Sequence, residues 1–144
     1  PYSGSKATVW TKWIKDWINQ KCSEACFTNS KTGVKTCYTP SNSTSFECRN
    51  MTTGTVVNME NPDPVSVDRL SKEFIQNIVS HEVSHMIYLA NGADTFDHHY
   101  PIAEGVLMEQ FIDVKVTNSK GNIDVNLYIS KGYTRADVSS FELY

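Results

Sequence analysis

His81-Glu82-Val83-Ser84-His85 reads H-E-x-x-H and falls late in the most apolar helix candidate of the chain. On a helix, positions i and i+4 share a face, so the two imidazoles point at one spot. Imidazole nitrogen is a preferred ligand of zinc, and His81 with His85 form a candidate metal pair. Glu82 follows the first histidine and is placed to take a proton from a water held there. Leu70, Phe74, Ile75, Ile78 and Val79 precede the motif at helical spacing, and Met86, Ile87, Tyr88 and Leu89 follow it. A helix apolar on more than one side is expected to be buried. The alternative is a core helix with two satisfied histidines and a surface glutamate. Ionisable groups are rarely buried without partners, which favours the metal.

Working outward, 144 residues predict one domain, 1–144, with a sufficient core. The net charge of −3 argues against nucleic acid as a partner. No apolar run is long enough to predict a transmembrane segment. The chain opens at Pro1 with neither an initiator Met nor a signal peptide, as expected of a mature or excised part of a longer precursor. Cys22, Cys26, Cys37 and Cys48 all lie in the first third. Their even number in a loop-rich region predicts two disulfides and a secreted or cell-surface location, with a four-thiolate zinc site as the alternative. A bridge from Cys22 to Cys26 is geometrically awkward. That leaves 22–37 with 26–48, or 22–48 with 26–37. Two sequons, Asn42-Ser43-Thr44 and Asn50-Met51-Thr52, agree with an extracellular glycoprotein.

Val9, Trp10, Trp13, Ile14, Trp17 and Ile18 recur at steps of three and four and predict an amphipathic helix over 6–21. Its tryptophan face is expected to pack on the domain; a membrane surface or missing sequence are the other possible partners. Residues 22–62 form the disulfide-rich strand region. Val34–Tyr38 and Phe46–Arg49 read as a hairpin about Pro40-Ser41-Asn42, and Gly54–Met59 as a further strand. Ser66 is the expected cap of the motif helix, which runs from Val67 until Asn91-Gly92 stops it. An Asp- and His-rich loop, Ala93–Tyr100, leads to Pro101, which opens a second helix reaching Val116 with Ile102, Val106, Leu107, Phe111 and Val114 on its apolar face. Asn118–Asn122 is a turn and Ile123–Ile129 an alternating strand. The tail, Tyr133–Tyr144, fits no single element.

A catalytic zinc takes three protein ligands and keeps one open position. The motif followed by Glu104 in Ala103-Glu104-Gly105, with residues 86–103 between, resembles the gluzincins, the thermolysin-like and alanyl-aminopeptidase-like metallopeptidases. The resemblance covers about residues 67–116. It implies an α+β, zincin-like domain: a small mixed or antiparallel sheet packed on a buried active-site helix, with a second helix carrying the third ligand. It also implies that His81, His85 and Glu104 bind zinc, that Glu82 is the general base, and that peptide lies along a sheet edge, here Gly54–Met59. The aminopeptidase motif G-A-M-E-N is absent. Met108 stands where the thermolysin pattern has an acid supporting the third ligand, leaving Glu109 or Asp113 for that part.

Thr95, Asp97 and Tyr100 are similar to the aspzincin pattern G-T-x-D-x-x-Y-G, with both glycines replaced. That likeness implies Asp97 as third ligand and Tyr100 as a transition-state donor. His98 or His99 is the remaining choice of ligand. Tyr133 and His98 join Tyr100 as candidate oxyanion donors. The expected function is a secreted zinc endopeptidase acting on peptide or protein. The alternatives are a zincin-fold binding or structural module without catalysis, and a fragment of a larger protease or toxin.

Overall fold

The computed structural model describes residues 9–90 and 112–130. These form an α+β arrangement of two helices, a two-stranded hairpin and a mixed four-stranded sheet. In chain order they are α1 Thr11–Ser23, β1 Ala25–Thr28, β2 Lys35–Tyr38, β3 Ser45–Asn50, β4 Val56–Asn58, α2 Pro64–Ala90, β5 Asp113–Ser119 and β6 Asn122–Tyr128. The hairpin is β1–β2, and the larger sheet runs β4-β3-β6-β5. Within it β3 pairs parallel with β6, while β3–β4 and β5–β6 are antiparallel.

Alternation makes the larger sheet one-sided. Phe46 and Cys48 of β3, Val57 of β4 and Ile123, Val125 and Leu127 of β6 are buried. Glu47, Arg49, Asp124 and Asn126 take the other face and are half-buried. The apolar side receives Ile14, Ile18 and Cys22 of α1 and Leu70 and Phe74 of α2.

The placement of α2 follows from its partners. Met59 N donates to Phe46 O at 2.8 Å, so the chain enters the helix near the start of β3. Glu73 then meets the far end of that strand. Its carboxylate accepts from Asn50 Nδ2 at 2.9 Å, Thr53 Oγ1 at 2.9 Å, Thr55 Oγ1 at 2.8 Å and Arg69 Nε at 3.2 Å. One turn on, Asn77 Nδ2 donates to Ser130 O at 3.3 Å, just past the end of β6. The helix therefore runs alongside β3 and β6 and in their direction.

Several expectations are corrected. The strands at 35–38 and 45–50 exist but do not pair: β2 pairs with the unforeseen β1, and β3 lies inside the other sheet. Pro40–Asn42, read as a hairpin turn, is a short 3-10 helix between the sheets. The cap of α2 is Asp63, not Ser66. Asp63 accepts from Ser66 N at 3.0 Å and Ser66 Oγ at 2.8 Å, which holds its carboxyl below the usual range, and Pro64 occupies the first helical position, where no amide donor is needed. The predicted helix to Val116 fails at its end, because Asp113–Ser119 is β5; the rest, 101–111, lies outside the described residues.

Among the described residues helix α1 starts at Thr11, with Val9 and Trp10 before it, and continues to Ser23, two residues past the expected end; residues 6–8 lie outside the described residues. Its core face is Ile14, Ile18 and Cys22. Of the tryptophans expected there, Trp17 packs on Phe74 with ring centroids 5.2 Å apart, while Trp10 and Trp13 are exposed. Nor is α2 buried all round, since Val65, Val79 and Val83 face outward.

The cysteines form Cys22–Cys48 and Cys26–Cys37, one of the two open pairings, and no thiolate is left for a zinc site. The first bridge ties the buried end of α1 to β3; the second crosses the hairpin between residues in direct register. Among the described residues no helix is long and apolar enough to cross a membrane.

Glu73 generates a test. Burial alone pushes its carboxyl up, but the bonds from Thr55, Asn50, Thr53 and Arg69 outweigh burial and hold it below the usual range. A depressed folded value gives stability that is complete above the ordinary glutamate pKa and lost as pH falls through the lowered value. Glu73→Ala leaves Asn50 and Thr55 without an acceptor and is expected to cost about 1–3 kcal/mol at neutral pH. Urea unfolding of parent and variant should show this gap narrowing on acidification.

Candidate metal centre

One stripe of α2 decides where the core ends and the site begins. Leu70, Phe74, Asn77, His81 and Ser84 follow one another at steps of four, three, four and three, the spacing of a single helix face. Its first two members are 2% exposed and join the core. Asn77 marks the end of β6. His81 lies one turn farther, Ser84 is fully buried, and His85 closes the stripe. Ser84 Oγ donates to Ser80 O at 2.8 Å, returning its hydroxyl to the helix backbone.

His81 Nε2 and His85 Nε2 stand 3.1 Å apart, with the ring planes 78° to each other. That separation suits a proton shared between a donor and an acceptor nitrogen, or a cation between two acceptors. Two nitrogens at ordinary zinc distances in tetrahedral geometry lie about 3.3 Å apart, close to the separation of this pair. Glu82 is half-buried beside the pair, on the flank between the buried stripe and exposed Val83.

Among the described residues no group of three or more His, Cys, Asp or Glu is gathered as a metal cage. Glu104, Asp97, His98 and His99, the candidate third ligands, lie outside the described residues, as do Tyr100, Tyr133, Met108 and Glu109. The chain on either side of 91–111 is described. It leaves from the C-terminal end of α2 and returns at β5, whose first residue, Asp113, lies opposite Tyr128 near Ser130. Both attachment points are at the histidine end of the sheet. Asp113 itself, an alternative supporting acid, sits on β5 with Lys115 Nζ at 3.6 Å.

Two features escaped the sequence reading. The Glu73 node links α2 to the β3–β4 turn, and its only local trace is Thr53 and Thr55 two residues apart in a polar run. Asn77 carried a signal that was legible: a polar residue on the apolar stripe one turn before the histidines. The expected strand at 54–59 is β4, and it is an edge of the larger sheet.

No protein-family model matches the chain, and neither the curated proteins nor the solved structures compared with it give a match.

The site also makes a packing prediction. Ser84 is at 0% exposure, so a longer side chain has no room. Ser84→Leu is expected to cost about 1–3 kcal/mol by overpacking, and Ser84→Ala much less. Thermal unfolding of the two variants measures the difference.

Proposed function

We propose that this chain is a secreted zinc-dependent endopeptidase with a zincin-like fold, in which His81 and His85 are two zinc ligands and Glu82 is the general base. The carrying observation is the 3.1 Å convergence of the two Nε2 atoms on the stripe that extends past the core. Glu104 is the preferred third ligand, with Asp97, His98 and His99 as the competing donors. The departure and return of residues 91–111 at the histidine end supports a ligand from that segment. The two disulfides favour an oxidising, extracellular setting.

When bound, zinc supplies Lewis acidity toward the scissile carbonyl and makes water a nucleophile near neutral pH. Glu82 takes the proton of the attacking water and delivers it to the leaving amine. Tyr100, Tyr133 or His98 donates to the developing oxyanion. Asn77, bonded to Ser130 O, and Glu73, bonded to the β3–β4 turn, hold the helix so that the two rings keep their convergence. Among the described residues β4 is an edge strand, which would offer its outer backbone groups to an extended peptide.

Elemental mass spectrometry and a peptide-cleavage assay test the reading together. The parent should carry about one zinc per chain, and His81→Ala with His85→Ala should carry none. Glu82→Gln should keep the metal and lose turnover by about 10²-fold or more. Glu104→Ala should lose the metal; retention would move the third ligand to Asp97, His98 or His99. A parent that takes up no metal after zinc is added back would overturn the proposal, and full turnover in Glu82→Gln would overturn the general-base assignment.

A further inference from the structure

The two sequons occupy opposite ends of the scale of accessibility. Asn50 is 1% exposed. Its Nδ2, the atom that would carry a sugar, donates to Glu73 Oε2, and its Oδ1 accepts from Thr52 N at 3.0 Å. A glycan on that nitrogen would have to pass between α2 and the β3–β4 turn, where the Glu73 node closes the structure. Asn42 ends the short 3-10 helix and is exposed. Its Oδ1 accepts from Thr39 N at 2.7 Å, so the amide is oriented while Nδ2 is left to solvent among the described hydrogen bonds. Thr44, the hydroxyl residue of the same sequon, is exposed as well.

We infer that Asn42 is an N-glycosylation site and that Asn50 is a structural residue that cannot carry a glycan in the folded protein. The transfer forms a bond between the anomeric carbon of the sugar and Asn42 Nδ2. It breaks the bond from that carbon to a polyprenyl diphosphate, which leaves, and the amide gives up a proton. Transfer to a nascent chain precedes folding, so the fold acts as a filter: a sugar on Asn42 stays in water, and a sugar on Asn50 blocks closure of α2 on the sheet.

The position of the glycan follows from the sheet. Thr44 N donates to Gly121 O at 2.8 Å, which puts the Asn42 segment at the β5–β6 turn. That turn lies at the start of β3 and β6, whereas His81 and His85 lie beyond their ends. Six residues of β3 separate the two levels by ~20 Å before the overhang of α2 is added. The glycan therefore stands away from His81 and His85. This inference does not rest on the peptidase reading.

The full chain, secreted from eukaryotic cells behind a cleavable signal, is weighed intact before and after peptide N-glycosidase. A single glycan is expected, with Asn42 converted to Asp on its removal. Thr44→Ala keeps the Asn42 cap but abolishes the sequon, and should be secreted unglycosylated. Thr52→Ala keeps Asn50 and should be secreted with the same glycan as the parent. Should Thr44→Ala be retained in the cell, Asn42→Gln repeats the measurement, and the retained fraction is weighed too. A glycan on Asn50 of the folded, secreted parent, or a parent unmodified at Asn42, overturns the assignment.

Discussion

Helix α2 can turn only one stripe toward the sheet, and that stripe has to close the core and present the histidines. A helix of 27 residues is ~40 Å long, whereas the seven residues of β6 span ~23 Å. The sheet cannot cover the whole helix. Leu70 and Phe74 take the covered part, and the polar run from Asn77 onward takes the part that extends past the strands. Ser84, in that second part, is fully buried and returns its hydroxyl to Ser80 O, so the stripe stays buried there while its members turn polar. The change of chemistry along the stripe falls where β6 stops, at Asn77.

Such an arrangement works only if the helix is prevented from sliding or turning. Hydrophobic contact is non-directional and would tolerate either motion. Two directional devices remove that freedom. The Glu73 carboxylate receives donors from β3, from the turn and from its own helix, fixing the rotation of α2. The Asn77 bond to Ser130 O fixes its position along the strands. On the other flank α1 is held by the buried Cys22–Cys48 bridge, and Trp17 fills the space against Phe74. A bridge closing a loop of this length contributes about 3 kcal/mol by restricting the unfolded chain.

How much of this was legible depends on the range of the interactions involved. The motif helix, strand 123–129 and the turn before it were readable because periodicity and turn chemistry are local. The Asn118–Asn122 turn is built on Lys120 and Gly121, both at positive φ, and a Cβ on Gly121 would meet Thr44 Oγ1 at 2.8 Å. The hairpin drawn between 34–38 and 46–49 failed because strand pairing is not local: the partner of β3 that matters most, β6, lies more than seventy residues away, and β1 is only four residues with two outward-facing members. The helix expected to reach Val116 failed where Asp113-Val114-Lys115-Val116-Thr117 changes the period from 3.6 to 2. Val114 and Val116 suit either period, and the pairing with β6 decides between them. For the site, His81 and His85 were readable from their spacing alone. Asp63 as the cap was hidden between Pro62 and Pro64, although Pro64 at the first helical position favours the start it marks.

The parallel pairing of β3 with β6 gives the site its orientation. In open sheets with parallel strands, ligands gather beyond the carboxyl ends, because helices and loops leave from there. Here Asn50 and Leu127 end the two parallel strands side by side, and α2, running in the same direction, carries His81 and His85 past that end. Strand β5 must start at the same end in order to pair antiparallel with β6. The segment joining α2 to β5 is therefore anchored at the histidine end by topology alone, whatever its own conformation. This segment holds Glu104, Asp97, His98 and His99. A sheet with β5 running the other way would have to start that strand beside the Asn42 loop, and the same residues would be tethered to the far end of the strands. The direction of one edge strand thus keeps both anchors of this stretch at the histidine end, as the proposed third ligand requires, and it does so independently of the H-E-x-x-H spacing.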